Sequence, residues 1–462
     1  MNKRIRLIIF FLLAAITTGC NSINKYGMTK KTLDQTNNKE ILDPDVPIEL
    51  EQAIAISLKN NPDIAIASWE YIAATADYDY SLGERFPKLK IAGGYLHYLD
   101  EQRLVPARKN GEAGTFSKDI LSADFVATLP VFTGGRIRNQ IEASNFLVKS
   151  AEYRMGRTRE ELIYNVSNTF FNILAQRKVL ETLKFSAKVL EEHLKKIDAL
   201  IAAEKAANVD RLRTEVRIAD IKQKIVQEEN VIAILNRNLA NLMGIDNTNQ
   251  NLNIAGELVL DEMITPPDLV NALNEAYMNR RDFLAMIMQV EAQKRNLQAI
   301  KAKKLPTIAL QGSYGGRWAI NETDKPVDAN SGEDVGRVGL VFELPVFEAG
   351  QITAKIKEQS AKLKILNERL RKIRLQIRLD VETAILNTGF SIERIETIKK
   401  SIEQARESLN IEQKRYELGR GAIVDVLDAQ AALLEAETAY YRALAGYRSA
   451  LAQMKLAIGK EK

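Results

Sequence analysis

Leu129 to Ile137 reads LPVFTGGRI, and Leu344 to Ile352 reads LPVFEAGQI, an interval of 344 − 129 = 215 residues. The same interval recurs downstream. Asp210 in NVDRL meets Asp425 in IVDVL (425 − 210 = 215), and Gly244 of Leu242-Met243-Gly244 meets Gly459 of Ala457-Ile458-Gly459 (459 − 244 = 215). Upstream, Asp63 in NNPDI matches Asp282 in NRRDF and Pro87 matches Pro306, both at an interval of 219. The change of four residues therefore falls inside one loop, between Pro87 and Leu129. The chain is one unit duplicated, and so long a period excludes a short solenoid repeat.

Each repeat reads helix, strand, loop, strand, long helix, break, long helix. The first repeat spans 50–246 and the second 268–462, joined by an Asn-rich connector, 247–267, that ends in Thr-Pro-Pro. The opening helix runs roughly from Leu50 to Arg85, with Pro62 marking a boundary or kink near its start. Its counterpart runs roughly from Asp268 to Lys304.

Leu121, Ala123, Phe125, Ala127 and Leu129 alternate with Ser122, Asp124, Val126 and Thr128. In the second repeat Val338, Leu340, Phe342 and Leu344 alternate with Arg337, Gly339, Val341 and Glu343. One apolar and one polar or small face over about ten residues is the pattern of strands with lipid outside and water inside. Their partners, Leu89 to Tyr98 and Ile308 to Tyr314, start just after Pro87 and Pro306 and carry tyrosines suited to a membrane interface. Four strands cannot close a barrel, and an open edge in lipid leaves backbone groups unpaired. Several protomers must share one barrel, and a trimer supplies about twelve strands.

After each strand pair proline disappears: there is none from Val131 to Thr265 and none from Val346 to Lys462. Leu162, Val166, Thr169, Ile173, Gln176, Leu180, Leu183, Ala187, Leu190, Leu194, Ile197 and Ile201 step alternately by four and three, a coiled-coil seam whose only polar members are Thr169 and Gln176. A helix from about Arg136 to Ala203 is roughly 100 Å long at 1.5 Å per residue. A compact domain has no use for that length.

At the N-terminus Lys3, Arg4 and Arg6 precede the apolar run Leu7 to Ile16, closed by Thr17-Thr18-Gly19-Cys20. This is a secretory signal, too short to span a membrane permanently. Residues 1–20 resemble a bacterial lipoprotein signal, which implies lipid on Cys20. The following Asn21, where Asp would signal inner-membrane retention, favours the outer membrane on the same resemblance. Residues 21–49, with Pro44 and Pro47, read as a tether. Cys20 is the sole cysteine, so the mature chain forms no internal disulfide.

Composition narrows the function further. Lys+Arg 65 against Asp+Glu 60 is a net +5 spread along the chain, which gives no nucleic-acid patch. The two histidines, His97 and His193, fall in a strand and a coiled-coil helix. A Gly-rich phosphate loop, a Cys cluster and a nucleophile motif are all missing, so the reading is not an enzyme, and no cofactor or metal is expected.

The distinctive stretch left over is Tyr416 to Gln430, YELGRGAIVDVLDAQ, a Gly-containing break between two long helices. Asp425 and Asp428 follow it on one face of the restarting helix. With the lipoprotein signal, the duplication and the two LPVF turns, the chain resembles the TolC-type outer-membrane efflux proteins over about Leu50 to Gly459. The resemblance implies an α+β membrane protein: a trimeric 12-stranded β-barrel, four strands per protomer, continued by a long periplasmic α-helical barrel of coiled-coil helices. It also implies the exit duct of a tripartite efflux pump or type I secretion system, working with a periplasmic adaptor and an inner-membrane transporter. Asp425 and Asp428 match the family's acidic ring at the tunnel entrance, and Tyr416 and Asp210 match positions that latch it shut. The family's basic latch residue, five positions after the tyrosine, is Gly421 here. The repeat-one equivalents of the two acids are Asp210 and Arg213, so only the second hairpin carries both. A lipid-anchored coiled-coil scaffold without a pore is the alternative, and it leaves the alternating strands unexplained.

Overall fold

A computed structural model describes residues 47–109, 111–204, 206–245, 252–258, 264–320 and 332–460. Cys20, nearly all of the tether and just under half of the connector lie outside the described residues. The first repeat contains α1 (Leu50–Asn60), α2 (Pro62–Gly83), β1 (Lys88–Arg103), β2 (Phe116–Phe132), α3 (Arg136–Ala202) and α4 (Asn208–Leu242). The second contains α5 (Leu269–Asn279), α6 (Arg281–Lys301), β3 (Thr307–Ala319), β4 (Gly332–Glu343), α7 (Gln351–Glu417) and α8 (Ile423–Ile458). Helices α3 and α7 are each 67 residues long and begin and end 215 residues apart, after Gly135 and Gly350, which both adopt left-handed backbone.

The strands form one antiparallel sheet in the order β1-β2-β3-β4. They are longer than the alternation predicts, because the ladder continues past the apolar band into polar residues at the loop ends. Only Leu344 falls outside, since β4 stops at Glu343. The register aligns Leu129 with Leu310 and Leu310 with Leu340, and aligns Ile91 with Phe125 and Phe125 with Tyr314. One face therefore carries Leu89, Ile91, Tyr95, Leu121, Phe125, Leu310, Tyr314, Trp318, Val338, Leu340 and Phe342, all exposed, with Ile91 at 80% and Val338 at 78%. The other face carries Lys88, Lys90, Asp124, Gln311, Arg317 and Arg337, and there Arg317 donates two hydrogen bonds of 2.9 Å to Asp124. Among the described residues nothing covers so large an apolar face, and β1 and β4 each leave an edge unpaired. Among the described residues no helix is long and apolar enough to cross a membrane.

The opening helices correct the sequence reading. The stretch expected as one helix from Leu50 to Arg85 breaks at Asn61, as Pro62 allowed. Its counterpart, expected unbroken from Asp268 to Lys304, also breaks, at Arg280 and without a proline. Each break receives the C-terminus of a later helix. A Cβ on Gly244 would lie 2.4 Å from the Asn60 carbonyl oxygen, and one on Gly459 would lie 2.9 Å from the Arg280 nitrogen. In the first repeat Asn61 caps α2 by accepting from Asp63 N–H at 2.8 Å, and its Nδ2 donates to the Leu242 carbonyl at 2.9 Å. In the second, the buried Arg280 guanidinium pairs at 2.7 Å with both Asp282 and Asp380. Burial alone would raise the Asp282 pKa, but the hydrogen bonds and charge of Arg280 outweigh it and hold the carboxyl below its ordinary value.

Through these junctions α2 continues into α4, and α6 into α8, end to end. Four columns of helix then stand side by side, with α3 packed on α2, α6, α4 and α8, and α7 on α6 and α8. The repeats bury matching residues at the waist. Ala53, Leu162, Val166, Leu239 and Met243 form the first core, and Ala272, Ile377, Val381, Met454 and Ile458 form the second. Each large aliphatic side chain buried there stabilises by about 1.5–3 kcal/mol.

Candidate functional site at the hairpin tips

The two hairpins turn at equivalent places with unequal chemistry. Helix α7 ends in a Schellman cap: Gly419 has φ +68°, its N–H donates to the Tyr416 carbonyl at 2.9 Å, and Arg420 N–H donates to the Arg415 carbonyl at 2.8 Å. The corresponding residue after α3 is Glu204 (204 + 215 = 419), held at φ +57°. A residue with a Cβ in that region costs about 1–2 kcal/mol, so the first turn is the strained one.

Helix α8 restarts at Ile423, and Asp425, its third residue, accepts from the Ala422 N–H at 3.3 Å. Asp425 thus caps the helix and adds favourable charge to its N-terminus. Asp428 lies one turn on, and both carboxylates are exposed. Ile423, Val426 and Leu427 point the other way, into a cluster with Val179, Leu183, Leu190 and Ile197 of α3 and Ile218 and Ile221 of α4. Helix α7 adds Leu409 and Tyr416 to this cluster, so all four helices lock together near the tip.

Tyr416 rests against His193 of α3, with ring centroids 5.9 Å apart. Its hydroxyl is buried without a hydrogen-bond partner among the described residues. Burial first, and then the charge of Asp210, push its pKa upward. The structure thus brings Tyr416 and Asp210 into electrostatic range but not into a hydrogen bond through that hydroxyl. At Gly421 a Cβ would come within 3.1 Å of the Arg415 Cβ and 3.2 Å of the Tyr416 nitrogen, so a larger residue needs the turn to give. Arg213 is exposed on α4, as its place opposite Asp428 in the repeat suggests. Sequence reasoning missed His193 as a tip residue; its only signal was its place beside the seam residues Leu190 and Leu194. Among the described residues no three potential ligands gather to hold a metal.

A sheet with one face built for lipid, carried on a helical stalk whose tip exposes Asp425 and Asp428, defines one protomer of an outer-membrane channel. The outer membrane efflux protein model matches residues 53–245 and again 272–460, and the chain belongs to that family. The two matches start 219 residues apart (272 − 53) and end 215 apart (460 − 245), the same two intervals found in the sequence. The outer membrane protein TolC of Escherichia coli is 22% identical over 81% of this chain and 74% of its own length. A probable outer membrane lipoprotein of Salmonella typhimurium, SilC, is 21% identical over 83% and 80%. Among solved structures, the Campylobacter jejuni CmeC outer membrane channel superposes with a TM-score of 0.75 at 16% identity, covering 89% of this chain and 85% of that one.

Proposed function

We propose that three protomers close into a single duct through the outer membrane and the periplasm, a passive exit channel for an efflux pump or type I secretion system. The observation that carries it is the pair of unfinished edges. Inside the protomer α3 packs on α6, where Glu160 pairs with Arg281 and Ala285 and Ala299 are buried; their repeat equivalents, Leu375 on α7 and Ile66 and Tyr80 on α2, are exposed. These bulky apolar residues fit the α2 and α7 edges of neighbouring protomers, paired as α3 and α6 are paired within one. The same closure pairs β4 with the next β1 and removes both sheet edges from lipid.

In this assembly Asp425 and Asp428 form a ring of six carboxylates at the narrow end, which favours cations. Tyr416 and Asp210 hold that end shut until a periplasmic adaptor and an inner-membrane transporter engage the tips. Lipid on Cys20 anchors each protomer, a reading supported by the signal sequence. The duct has no chemistry of its own. Planar-bilayer recording tests the proposal: purified protein is expected to form a cation-preferring pore, and Asp425→Ala with Asp428→Ala to erase the preference. Absence of a pore, or unchanged selectivity in the double variant, overturns the corresponding part.

A further inference from the structure

Below the waist the columns run in the order α4, α3, α8, α7, so α3 lies between α4 and α8. On an open ring of twelve helices with neighbouring axes about 10 Å apart, second neighbours stand about 19 Å apart. Here α4 and α8 touch directly. They wall a groove floored by Val179 and Leu183 of α3. The second hairpin is therefore curled over the first rather than laid beside it.

An ion pair crosses this groove. Arg442 Nη2 of α8 donates to Glu228 Oε1 of α4 at 2.6 Å. Glu228 is buried, and its other carboxylate oxygen has no hydrogen-bond partner among the described residues. Arg442 is half exposed. A buried carboxylate with one cationic partner depends on that partner, because losing it leaves a charge out of water with nothing to offset it. The pair stands 18 residues up α4 from Asp210 (228 − 210), about 27 Å above the tip at 1.5 Å per residue. It acts on the lean of the whole hairpin and leaves the tip contacts themselves alone.

The duplication shows where this pair has no equivalent. The repeat partner of Glu228 is Ala443 (228 + 215), and that of Arg442 is Gln227 (442 − 215). The matching seam, between the second hairpin of one protomer and the first hairpin of the next, has neither charge. A trimer thus has three such bridges, all within protomers.

We propose that Glu228–Arg442 is a clamp that holds the second hairpin curled over the first, so that widening of the tunnel breaks it. The proposal rests on the channel reading above. It predicts that the seam between protomers yields more easily than the seam inside each one.

Charge reversal tests it on the full-length trimer in planar bilayers, with heat-modifiable mobility as the check on assembly. Glu228→Arg and Arg442→Glu singly are each expected to raise the open probability about tenfold or more. The double swap, which restores the pair with opposite polarity, is expected to return to near the wild-type value. A merely structural role predicts no rescue by the swap. Should a reversal variant fail to assemble, Glu228→Gln and Arg442→Gln carry the same expectation of a raised open probability. Assembled single variants with wild-type gating, or a swap as leaky as the singles, overturn the clamp while leaving the channel intact. A wild-type protein that forms no pore removes both.

Discussion

Val338 and Val341 lie three residues apart on β4 and face opposite sides of the sheet. Val338 shares its face with Ile91, Phe125 and Leu340, while Val341 shares the polar face with Arg337. Val338→Arg and Val341→Arg therefore add the same side chain to the same strand, with the same loss of β-branching, and differ only in what surrounds the charge. An arginine facing lipid near the middle of the bilayer costs about 2–4 kcal/mol per protomer, or about 6–12 kcal/mol over three, and the cost on a water-filled lumen is small. Val338 is suited to read that cost, since it sits between the rim residue Phe342 and the Tyr314 row and is 78% exposed within the chain. Trimer assembly in outer-membrane extracts, read as heat-modifiable mobility, and urea titration of the reconstituted protein measure the difference. Val338→Arg is expected to lose most assembled trimer and to unfold at markedly lower urea, while Val341→Arg assembles normally with altered ion selectivity. Equal stability of the two variants refutes the assignment of lipid and lumen faces.

Three further outcomes follow from the helices. Glu204→Gly relieves the left-handed strain at the first turn and is expected to stabilise that hairpin by about 1 kcal/mol, whereas Gly419→Ala costs a similar amount, both read as shifts in helix melting. Arg280→Met leaves Asp282 and Asp380 without their shared cation and is expected to cost roughly 3–5 kcal/mol in thermal unfolding. His193 is held below its ordinary value of 6.5 by burial and then by Lys196, with Glu417 pulling the other way, while Asp210 of α4 charges the same tip. The folded tip thus binds fewer protons than the unfolded one. Its stability is fully present above pH 6.5 and falls as pH drops from there through the folded pKa, so channel opening is expected to rise on acidification and to flatten in His193→Gln.

What was legible in the sequence was whatever follows from local period. The seam from Leu162 to Ile201 and the alternation around Phe125 each depend on a side chain and its near neighbours along the chain, and both recur in the structure on the faces expected. The duplication made each reading count twice. The break at Arg280 was hidden because no backbone rule marks it; it is made by Gly459, far along the chain, and by Asp380. The contact of His193 with Tyr416 joins residues more than two hundred positions apart, and no periodicity reports such a meeting. Glu204 was unreadable for a different reason: its strained backbone is imposed by the turn its repeat partner makes with glycine.

The junctions at Asn60–Gly244 and Arg280–Gly459 have a mechanical consequence. Two of the four columns, α3 and α7, are covalently continuous from the sheet to the tip, and the other two are stacked posts that meet at a joint without a peptide bond. Bending moment passes along an unbroken helix but is largely lost across a butt joint. A sideways push on α4 or α8 at the tip can thus turn each as a lever about the waist without twisting the strands above. In the proposed duct the gate is insulated from the seal, and the tunnel can work at one end while the membrane stays tight at the other.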